Sequence, residues 1–406
     1  MNELTCLVVG GGYAGIHAIH SIQQAFNKAG GTRRVQIVLI DKEPYHLRKV
    51  LLFKPAAYKE EITIPFARMF PDIQVVRGTV GWIDPEKKQA LYRDAEGQEH
   101  ALAYDIAIVT VGSIARAPES DQGGIALTGL ETAAAIRQQW QENLRQAAGE
   151  TDPAEKQRLL TTVVAGAGIS GIETSAELAW IMRQEAEALH IDPEMIKVYL
   201  INAQARLFPE GPAKVGRRLE HKLHDYGVTV MHGVKTLQEK EGKVSLSSGE
   251  AIPAGLCVWT LGLLPNPALR EMGLPLTADG QVIVDASYRV QGMPGIYSIG
   301  DCARIVDPAT GRADTMTCKE GGAQASRLGT IVLADLNGRP APQHKGYMDA
   351  YCFGLGGERG MVWTRQWGLD MIITGRLGWK VRQYTWDIAS LLKQPHRKLR
   401  KDDANA

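Results

Sequence analysis

Two short segments with the pattern G-x-G-x-x-G constrain the fold of this 406-residue chain more than any other feature. Residues 10–15 read GGGYAG and residues 166–171 read GAGISG. Each follows an apolar run typical of a buried strand and precedes a helical pattern, and a second apolar run follows each helix. A strand, a glycine turn and a helix in this order form the phosphate-binding turn of a dinucleotide fold. Because the unit occurs twice, the sequence predicts two such folds.

The spacing of these glycines has a physical reason. The first allows a tight turn, the second lets a pyrophosphate approach the backbone, and the third lets the helix pack closely on the strand. The helix N-terminus then presents free N–H groups and a positive partial charge to the phosphates. The residues predicted to bind nucleotide at the two turns are Gly10, Gly12, Tyr13, Ala14 and Gly15, and Gly166, Gly168, Ile169, Ser170 and Gly171.

The residue that ends the following strand indicates how the ribose is recognised. In the first unit Asp41, followed by Lys42, can accept hydrogen bonds from ribose hydroxyls. In the second unit Asn202 takes this place, with Arg206 nearby. An asparagine binds a ribose hydroxyl without repelling a 2′-phosphate, so the choice between NADH and NADPH stays open, with a small preference for NADH.

Periodicity places the remaining elements along the chain. Strands are predicted at residues 4–9, 35–40, 74–77, 80–83, 89–92, 106–111, 162–165 and 197–201. Helices are predicted at residues 14–26, 131–145 and 170–189, with a turn-rich boundary at residues 149–156. After residue 340 the chain becomes aromatic and glycine-rich, then basic, which indicates a third, C-terminal segment.

Composition excludes several classes of protein. The 46 Lys and Arg residues balance 45 Asp and Glu residues, which gives no indication of nucleic-acid binding. Five cysteines without a C-x-x-C pair indicate reduced thiols rather than disulfides or a redox dithiol. Apolar runs stay shorter than the ~18 to 20 residues that span a bilayer. The protein is therefore predicted to be cytoplasmic, with attachment to the inner face of the cell membrane as the alternative.

Three further segments resemble the two-dinucleotide-binding-domain flavoproteins. They read IAIVTVGS at residues 106–113, VWTLGLLPN at residues 258–266 and GIYSIGDCA at residues 295–303. The resemblance implies that Gly112 and Gly262 lie where the chain leaves the FAD domain and the NAD(P) domain. It also implies that Gly300 and Asp301 bind FAD, with Asp301 on a ribitol hydroxyl and the following helix aimed at the flavin. Val80 completes the predicted cofactor-binding set, and a helix N-cap is the structural alternative for Asp301.

Within that superfamily, residues 4–338 most resemble the type II NADH dehydrogenases, which are single-subunit NADH:quinone oxidoreductases. The resemblance rests on DKEPYHL at residues 41–47, followed by Leu51 and Leu52, and on GIE at residues 171–173. It implies that Glu173 lies near the nicotinamide and the flavin, a solvated helical residue being the alternative. The chain departs from the family at residues 48–50, and residues 315–326 lack most of the glutamines of the family's quinone motif.

The resemblance implies an α/β fold with two Rossmann-like domains, in which the NAD(P) domain is inserted into the FAD domain. The expected bounds are 1–118 and 288–338 for the FAD domain, 119–287 for the NAD(P) domain and 339–406 for the C-terminal segment. It implies a FAD-dependent NAD(P)H dehydrogenase that passes a hydride to the flavin and electrons to a quinone-like acceptor. Lys54 and Lys319 are the candidates for stabilising negative charge on the flavin, with a surface or structural role as the alternative.

Three other functions stay open at this point. A sulfide:quinone-type oxidoreductase needs two cysteines beside the flavin, for which Cys318 and Cys352 are the candidates. A sensor similar to apoptosis-inducing factor would hold a stable flavin–NAD complex without turnover. A reductase of ferredoxin or rubredoxin is the third.

The C-terminal segment shows apolar residues at helical spacing, namely Leu377, Val381, Tyr384, Ile388 and Leu391. Trp379 and Trp386 are predicted to act as interfacial aromatics. The surrounding basic residues are Arg376, Lys380, Arg382, Lys393, Arg397, Lys398, Arg400 and Lys401. This pattern predicts attachment to an anionic membrane surface. The alternative is a helix packed on the enzyme's own body or on a second subunit of a homodimer.

Overall fold

A computed structural model describes residues 3–29 and 34–393 of the chain. Its α-helices are α1 (Tyr13–Lys28), α2 (Phe53–Ala57), α3 (Phe66–Met69), α4 (Leu130–Gly149), α5 (Pro153–Leu159), α6 (Ile169–Ala188), α7 (Ala213–Asp225), α8 (Cys318–Leu336) and α9 (Gly375–Ala389). Short 3₁₀ helices cover Lys49–Leu51, Pro193–Met195 and Pro267–Arg270. Within these described ranges, no helix is both long and apolar enough to cross a membrane.

The larger sheet has seven strands. Six come from the first 109 residues, and the seventh is the much later strand Ile296–Ser298. Their spatial order is Ile296–Ser298, Ile106–Val109, Glu3–Val9, Arg34–Asp41, Gln74–Asp84, Gln89–Asp94 and Glu99–Ala103. The ladders from Ile296–Ser298 to Gln74–Asp84 are parallel, and the last two are antiparallel. Helices α1 and α8 pack on this sheet through a shared apolar core.

The second sheet has five parallel strands in the order Ile125–Ala126, Leu256–Trp259, Thr161–Ala165, Lys197–Asn202 and Val228–His232. All of them come from the part of the chain between the strands Ile106–Val109 and Ile296–Ser298 of the larger sheet. A small antiparallel sheet of Thr236–Lys240, Lys243–Leu246 and Ala251–Pro253 accompanies it. The fold is thus α/β, with one dinucleotide fold inserted into the other, as predicted.

The two connections between the folds pair with each other. Ser113–Ala115, on the way into the second fold, forms an antiparallel ribbon with Leu263–Pro265, on the way out. Short pairs of Val282–Ile283 with Ala303–Arg304 and of Tyr45–Leu47 with Thr63–Pro65 complete this part. The bounds predicted for the individual domains stay predictions.

The C-terminal segment forms a three-stranded antiparallel sheet, Ala350–Gly354, Gly360–Gln366 and Leu369–Thr374, followed by α9. The prediction that Trp379 and Trp386 act as interfacial aromatics is wrong, since both rings are buried in the same core as α2, α4 and α6. Arg382 is also buried rather than part of a basic surface. The helix therefore packs on the enzyme's own body. Residues 394–406, with the predicted basic tail, lie outside the described part of the chain.

Two predicted boundaries also need correction. The strands expected at residues 74–77 and 80–83 are one strand, Gln74–Asp84, because an irregularity between Val80 and Trp82 lets it continue while it changes partners. The turn-rich boundary at residues 149–156 is helical from Pro153 onward. Asp152 accepts a hydrogen bond from the Ala154 amide at 3.0 Å, and a proline at the first helical position favours the start of a helix.

Candidate active site

The two glycine turns have nearly the same geometry. Gly10 and Gly166 have φ of +97° and +109°, a region that side chains rarely adopt. A Cβ on Gly15 would collide with the Gly10 carbonyl, as would one on Gly171 with the Gly166 carbonyl. By contrast, no atom lies within 4 Å of a Cβ placed on Gly12 or on Gly168. Both turns therefore have the tight turn, open approach and close helix packing expected of a pyrophosphate cradle.

Asp41 contacts the first turn directly. Its Oδ2 accepts a hydrogen bond from the Gly11 amide at 2.6 Å, and its Oδ1 accepts one from Glu43 at 2.9 Å. Burial raises the pKa of Asp41 above its ordinary value. The neighbouring Lys42 carbonyl accepts from Arg77 Nε at 3.2 Å. Val80 lies at the irregularity of its strand and is buried in an apolar cluster.

The second predicted FAD motif lies against the first. A Cβ on Gly300 would stand 2.7 Å from the Cβ of Ala14 in α1. The carboxylate of Asp301 accepts a hydrogen bond at 2.6 Å from Ser113 Oγ, which directly follows Gly112 and lies beyond the end of the strand Ile106–Val109. Residues 10–15, 112–113 and 300–301 are therefore neighbours in space, although almost 300 positions separate them in the sequence.

One expectation about Asp301 is wrong. The residues after it form the strand Ala303–Arg304 rather than a helix, so Asp301 is not a helix N-cap. The next helix is α8, which begins at Cys318. Burial raises the pKa of Asp301, while Lys49 and the bond from Ser113 act in the opposite direction. This half-buried carboxylate can accept further hydrogen bonds from polar groups, such as the hydroxyls of a sugar alcohol.

At the second turn, polar groups close to the predicted ribose position already have protein partners. Asn202 shares a hydrogen bond with His232 Nδ1 at 2.9 Å and accepts one from the Gln204 amide at 3.1 Å. Arg206 donates to the carbonyls of Phe208, Pro209 and Gly211. The guanidinium of Arg206 is therefore used in holding a local loop.

Glu173 is buried, and the alternative of a solvated helical residue is wrong. It is the fifth residue of α6 and is 2% exposed. Its Oε1 and Oε2 each accept a hydrogen bond at 2.9 Å from Arg382 of α9, and Oε1 also accepts one from the Gly354 amide at 2.7 Å. Burial raises the pKa of Glu173, and Arg382 opposes that shift. The C-terminal segment thus contacts the helix of the second fingerprint through a bidentate ion pair.

Lys54 is not a surface lysine either, because its side chain is only 12% exposed. Its Nζ lies 3.0 Å from Glu177 Oε1 and close to the faces of Phe53, Tyr58 and Trp379. Lys319 lies in the first turn of α8 and donates a hydrogen bond to the Ala350 carbonyl at 2.7 Å. Its Nζ makes a cation–π contact with the Tyr351 ring, 3.8 Å from the ring centroid. Both lysines connect the nucleotide folds to neighbouring elements.

Two glycines lie between a strand of each sheet and the connecting ribbon, three residues after the strand ends at Val109 and Trp259. Gly112 and Gly262 have φ of +65° and +87°, so each turns the chain in the left-handed region. The Gly112 carbonyl accepts from the Asn266 amide at 3.1 Å, and the Gly262 carbonyl accepts from the Arg116 amide at 2.9 Å. These bonds cross between the two connections.

Residues 4–325 match the family described as pyridine nucleotide-disulphide oxidoreductase. The chain belongs to this family. It is therefore an oxidoreductase that uses FAD and a nicotinamide nucleotide. The open approach at Gly12 and Gly168 and the half-buried carboxylate of Asp301 fit these two molecules.

Among its relatives is the NADH dehydrogenase-like protein YutJ of Bacillus subtilis, which is 25% identical over 83% of this chain and 85% of the relative. The type II NADH:quinone oxidoreductase Ndh of Mycobacterium tuberculosis is 25% identical over 74% of this chain and 67% of the relative. The structure of NDH2 from Plasmodium falciparum in complex with NADH is 16% identical, with a TM-score of 0.79 over 96% of this chain and 97% of that one. The predicted resemblance to type II NADH dehydrogenases is confirmed.

Sequence reasoning missed several residues of this oxidoreductase's site. Glu177 and Tyr58 were not singled out, and Arg382 was assigned to a basic surface. Glu177 carried a usable signal, because it follows Glu173 by four positions and must share a helix face with it. Arg382 carried none, since 209 residues separate it from Glu173.

Proposed function

We propose that this oxidoreductase is an NAD(P)H dehydrogenase that passes electrons to a quinone. The observation that carries the proposal is the buried Glu173, which connects the helix of the second glycine turn to the C-terminal segment. The names of the relatives from Bacillus subtilis and Mycobacterium tuberculosis support the same activity. FAD, when bound, supplies the chemistry of hydride acceptance and electron transfer.

Each predicted site residue receives a role in this proposal. Gly10, Gly12 and Gly15, with Tyr13 and Ala14, cradle the FAD pyrophosphate, while Asp41, Lys42 and Val80 surround its adenosine part. Gly112, Gly300 and Asp301 bind the ribitol side. The nicotinamide nucleotide is bound by Gly166, Gly168, Ile169, Ser170, Gly171, Asn202 and Gly262. Glu173 lies beside the nicotinamide ring. The contacts of Lys54 and Lys319 favour a structural role for both lysines.

A two-step mixing experiment tests the activity. The purified enzyme is reduced anaerobically with NADH or with NADPH, and the reduced enzyme is then mixed with a panel of soluble quinones. We expect rapid bleaching of the flavin in the first step and rapid recovery of its colour in the second. Recovery with a ferredoxin or rubredoxin but with no quinone would indicate a reductase of those proteins instead. A long-lived charge-transfer band without turnover would indicate a sensor.

The sulfide:quinone-type alternative receives little support from the cysteines. Cys318 lies in the first turn of α8 and Cys352 on the first strand of the C-terminal sheet, both as free thiols. Burial raises the pKa of both thiols, with Arg382 acting in the opposite direction. Since a thiolate is the reactive form, a raised pKa disfavours both cysteines as nucleophiles. Unchanged NADH:quinone turnover in a Cys318→Ser, Cys352→Ser variant would exclude them from the reaction.

We also propose attachment to an anionic membrane surface, with an exposed hairpin in the place predicted for Trp379 and Trp386. Trp367 forms the tip of the C-terminal hairpin and is 94% exposed, and Leu369 and Met371 follow it on one side of the last strand. Leu377 is 61% exposed at the start of α9, between the exposed Arg376 and Lys380. Exposed tryptophan beside basic residues is typical of a membrane interface, where each cation contributes about 1 kcal/mol.

Sedimentation with vesicles that contain phosphatidylserine tests this attachment. A Trp367→Ser, Leu369→Ser variant should remain in solution, while a Leu237→Ser control, altered at an equally apolar exposed position elsewhere, should sediment like the parent. Failure of the parent to bind such vesicles at low salt would exclude the attachment. A truncation after Gly375 would not be a clean test, because it removes Trp379, Arg382 and Trp386 from the core.

A further inference from the structure

Glu177 is a buried carboxylate for which the proposed function has no role so far. It lies one turn after Glu173 in α6 and is 1% exposed. Its Oε1 accepts hydrogen bonds from Lys54 Nζ at 3.0 Å and from the Tyr58 hydroxyl at 2.7 Å. Its Oε2 is equally buried and has no hydrogen-bond partner among the described residues. An unpartnered oxygen on a buried carboxylate costs free energy, and such an exception calls for an explanation, for example a catalytic role.

Glu177 lies between the protein surface and the N-terminal part of α6, the helix that follows the second glycine turn. On the outer side, Tyr58 is partly exposed and is followed by the exposed residues 59–61. On the inner side, the same helix face carries Glu173, two residues after the second glycine fingerprint. Phe53, Trp379 and Trp386 enclose the cluster with apolar rings and so exclude bulk water.

The charged and titratable groups around Glu177 come from several parts of the chain. They are Lys54 of α2, Tyr58 directly after α2, Glu173 of α6 and Arg359 in the first hairpin of the C-terminal sheet. Arg382 of α9 acts on Glu173, and Glu60 acts on Tyr58. Burial and the neighbouring Glu177 raise the pKa of Tyr58, which keeps its hydroxyl protonated as a donor. Because Arg382 occupies both oxygens of Glu173, Glu177 is the carboxylate of the pair that has a free oxygen.

The proposed reaction requires a proton from solvent. NADH, one proton and a quinone give NAD⁺ and a quinol, so the hydride accounts for two electrons and one of the two hydrogens on the product. The second hydrogen comes from solvent and needs a protonatable group to carry it through the protein. A positioned acid or base that transfers such a proton contributes about 10²- to 10⁴-fold to a rate.

We propose that Glu177 is the group that delivers this second proton. The proton enters beside Tyr58 and binds Oε2 of Glu177, while Lys54 and Tyr58 hold Oε1 and fix the carboxyl plane. It then leaves Oε2 along the face shared with Glu173, toward the quinone. The inference rests on the proposed quinone reductase activity.

The test compares Glu177→Gln with Glu185→Gln, a control at an exposed position of the same helix. Enzyme reduced with NADH is mixed with a quinone, which takes up protons, or with ferricyanide, which takes up electrons alone. Loss of the proton donor should slow the quinone step about 100-fold. It should also increase the solvent deuterium isotope effect and leave the ferricyanide step close to that of the control. Glu177→Asp should restore part of the quinone rate.

A second variant and a spectroscopic readout guard against a folding defect. Tyr58→Phe keeps the pair of Lys54 and Glu177 and removes only the hydroxyl, so a smaller, selective loss of quinone rate is expected. Infrared difference spectra recorded on acidification should show a carboxylic acid band that Glu177→Gln lacks and Glu185→Gln retains.

The outcomes separate the two proposals. Equal slowing with quinone and with ferricyanide, or an unchanged isotope effect, would reduce Glu177 to a structural residue while the quinone reductase activity stands. If the parent enzyme reduces ferricyanide but no quinone, the proposed function itself fails.

Discussion

The helices that follow the two glycine turns begin alike and bury very different residues. Gly12 and Gly168 precede α1 and α6 with φ of −67° and −70° and ψ of −171° and −179°. Helix α1 then buries an apolar set, Ala14, Gly15, Ile16, Ala18, Ile19, Ile22 and Phe26. Helix α6 buries Glu173, Thr174, Ser175 and Glu177 within its first three turns. The backbone of the turn thus provides the nucleotide site, while the buried face of the helix determines what else the domain does.

The largest expected loss in the free energy of unfolding comes from removing the partner of a buried carboxylate on α6. Arg382→Met leaves Glu173 in the core with only the Gly354 amide, and breaking a buried pair on one side costs about 3–5 kcal/mol. Urea unfolding of the variant measures the loss. The double variant Glu173→Gln, Arg382→Met should recover much of it. A loss below about 1 kcal/mol is the usual value for a surface ion pair. It would mean that α6 does not differ from α1 in burying a charge that depends on its partner.

The same variant should respond to pH. The folded-state pKa of Glu173 is raised above the unfolded value of about 4.3, so the folded state binds this proton more tightly. The stability that it contributes is therefore full below the unfolded pKa and is lost as the pH rises through the folded pKa. Without Arg382 the pKa rises further. The deficit of Arg382→Met should hence grow as the pH rises above about 4, and a constant deficit would exclude Glu173 as its source.

The shared turn geometry predicts equal sensitivity at the third glycine of each turn. In Gly15→Ala and Gly171→Ala the new Cβ meets a backbone carbonyl, which has little freedom to move. Overpacking of this kind costs about 1–3 kcal/mol, and we expect similar losses in thermal unfolding of the two variants. Gly149→Ala, at the end of α4 with open space around it, is the control. Clearly unequal losses would show that the two turns differ more than their backbones indicate.

The middle glycines should separate the two nucleotides. A Cβ on Gly12 or Gly168 meets no protein atom, so neither variant should affect folding. Gly12→Ala should weaken FAD retention, and Gly168→Ala should raise the Kd for NADH about tenfold, or ~1.4 kcal/mol, with FAD still bound. Flavin content and a binding titration measure both. If either variant impaired both ligands equally, the assignment of one nucleotide to each turn would be wrong.

How much the sequence could predict follows from the range of the interactions involved. The glycine turns, their strands and their helices were predictable because local backbone geometry demands those residues. The cluster around Glu173 and Glu177 was not, since its partners come from residues 54, 58, 354 and 382, and only the folded chain brings them together. Periodicity in α9 indicated the wrong face, because the predicted Leu377 is 61% exposed while Trp379, Arg382 and Trp386 are buried. Apolar spacing also contains no information on whether protein or lipid covers a helix face.

The insertion of one fold into the other also imposes an order on synthesis. The edge of the larger sheet is completed when Ile296–Ser298 pairs with Ile106–Val109, and Ser298 Oγ bonds to the Val109 carbonyl across 189 residues. At ribosomal rates this separation corresponds to roughly 10 to 40 s, during which the whole inserted fold emerges. During that time one edge of the strand Ile106–Val109 stays unpaired. Asp301 is synthesised directly after Ile296–Ser298, the strand that pairs with this edge. The nascent chain therefore has its second nucleotide turn complete before its first one can retain a cofactor.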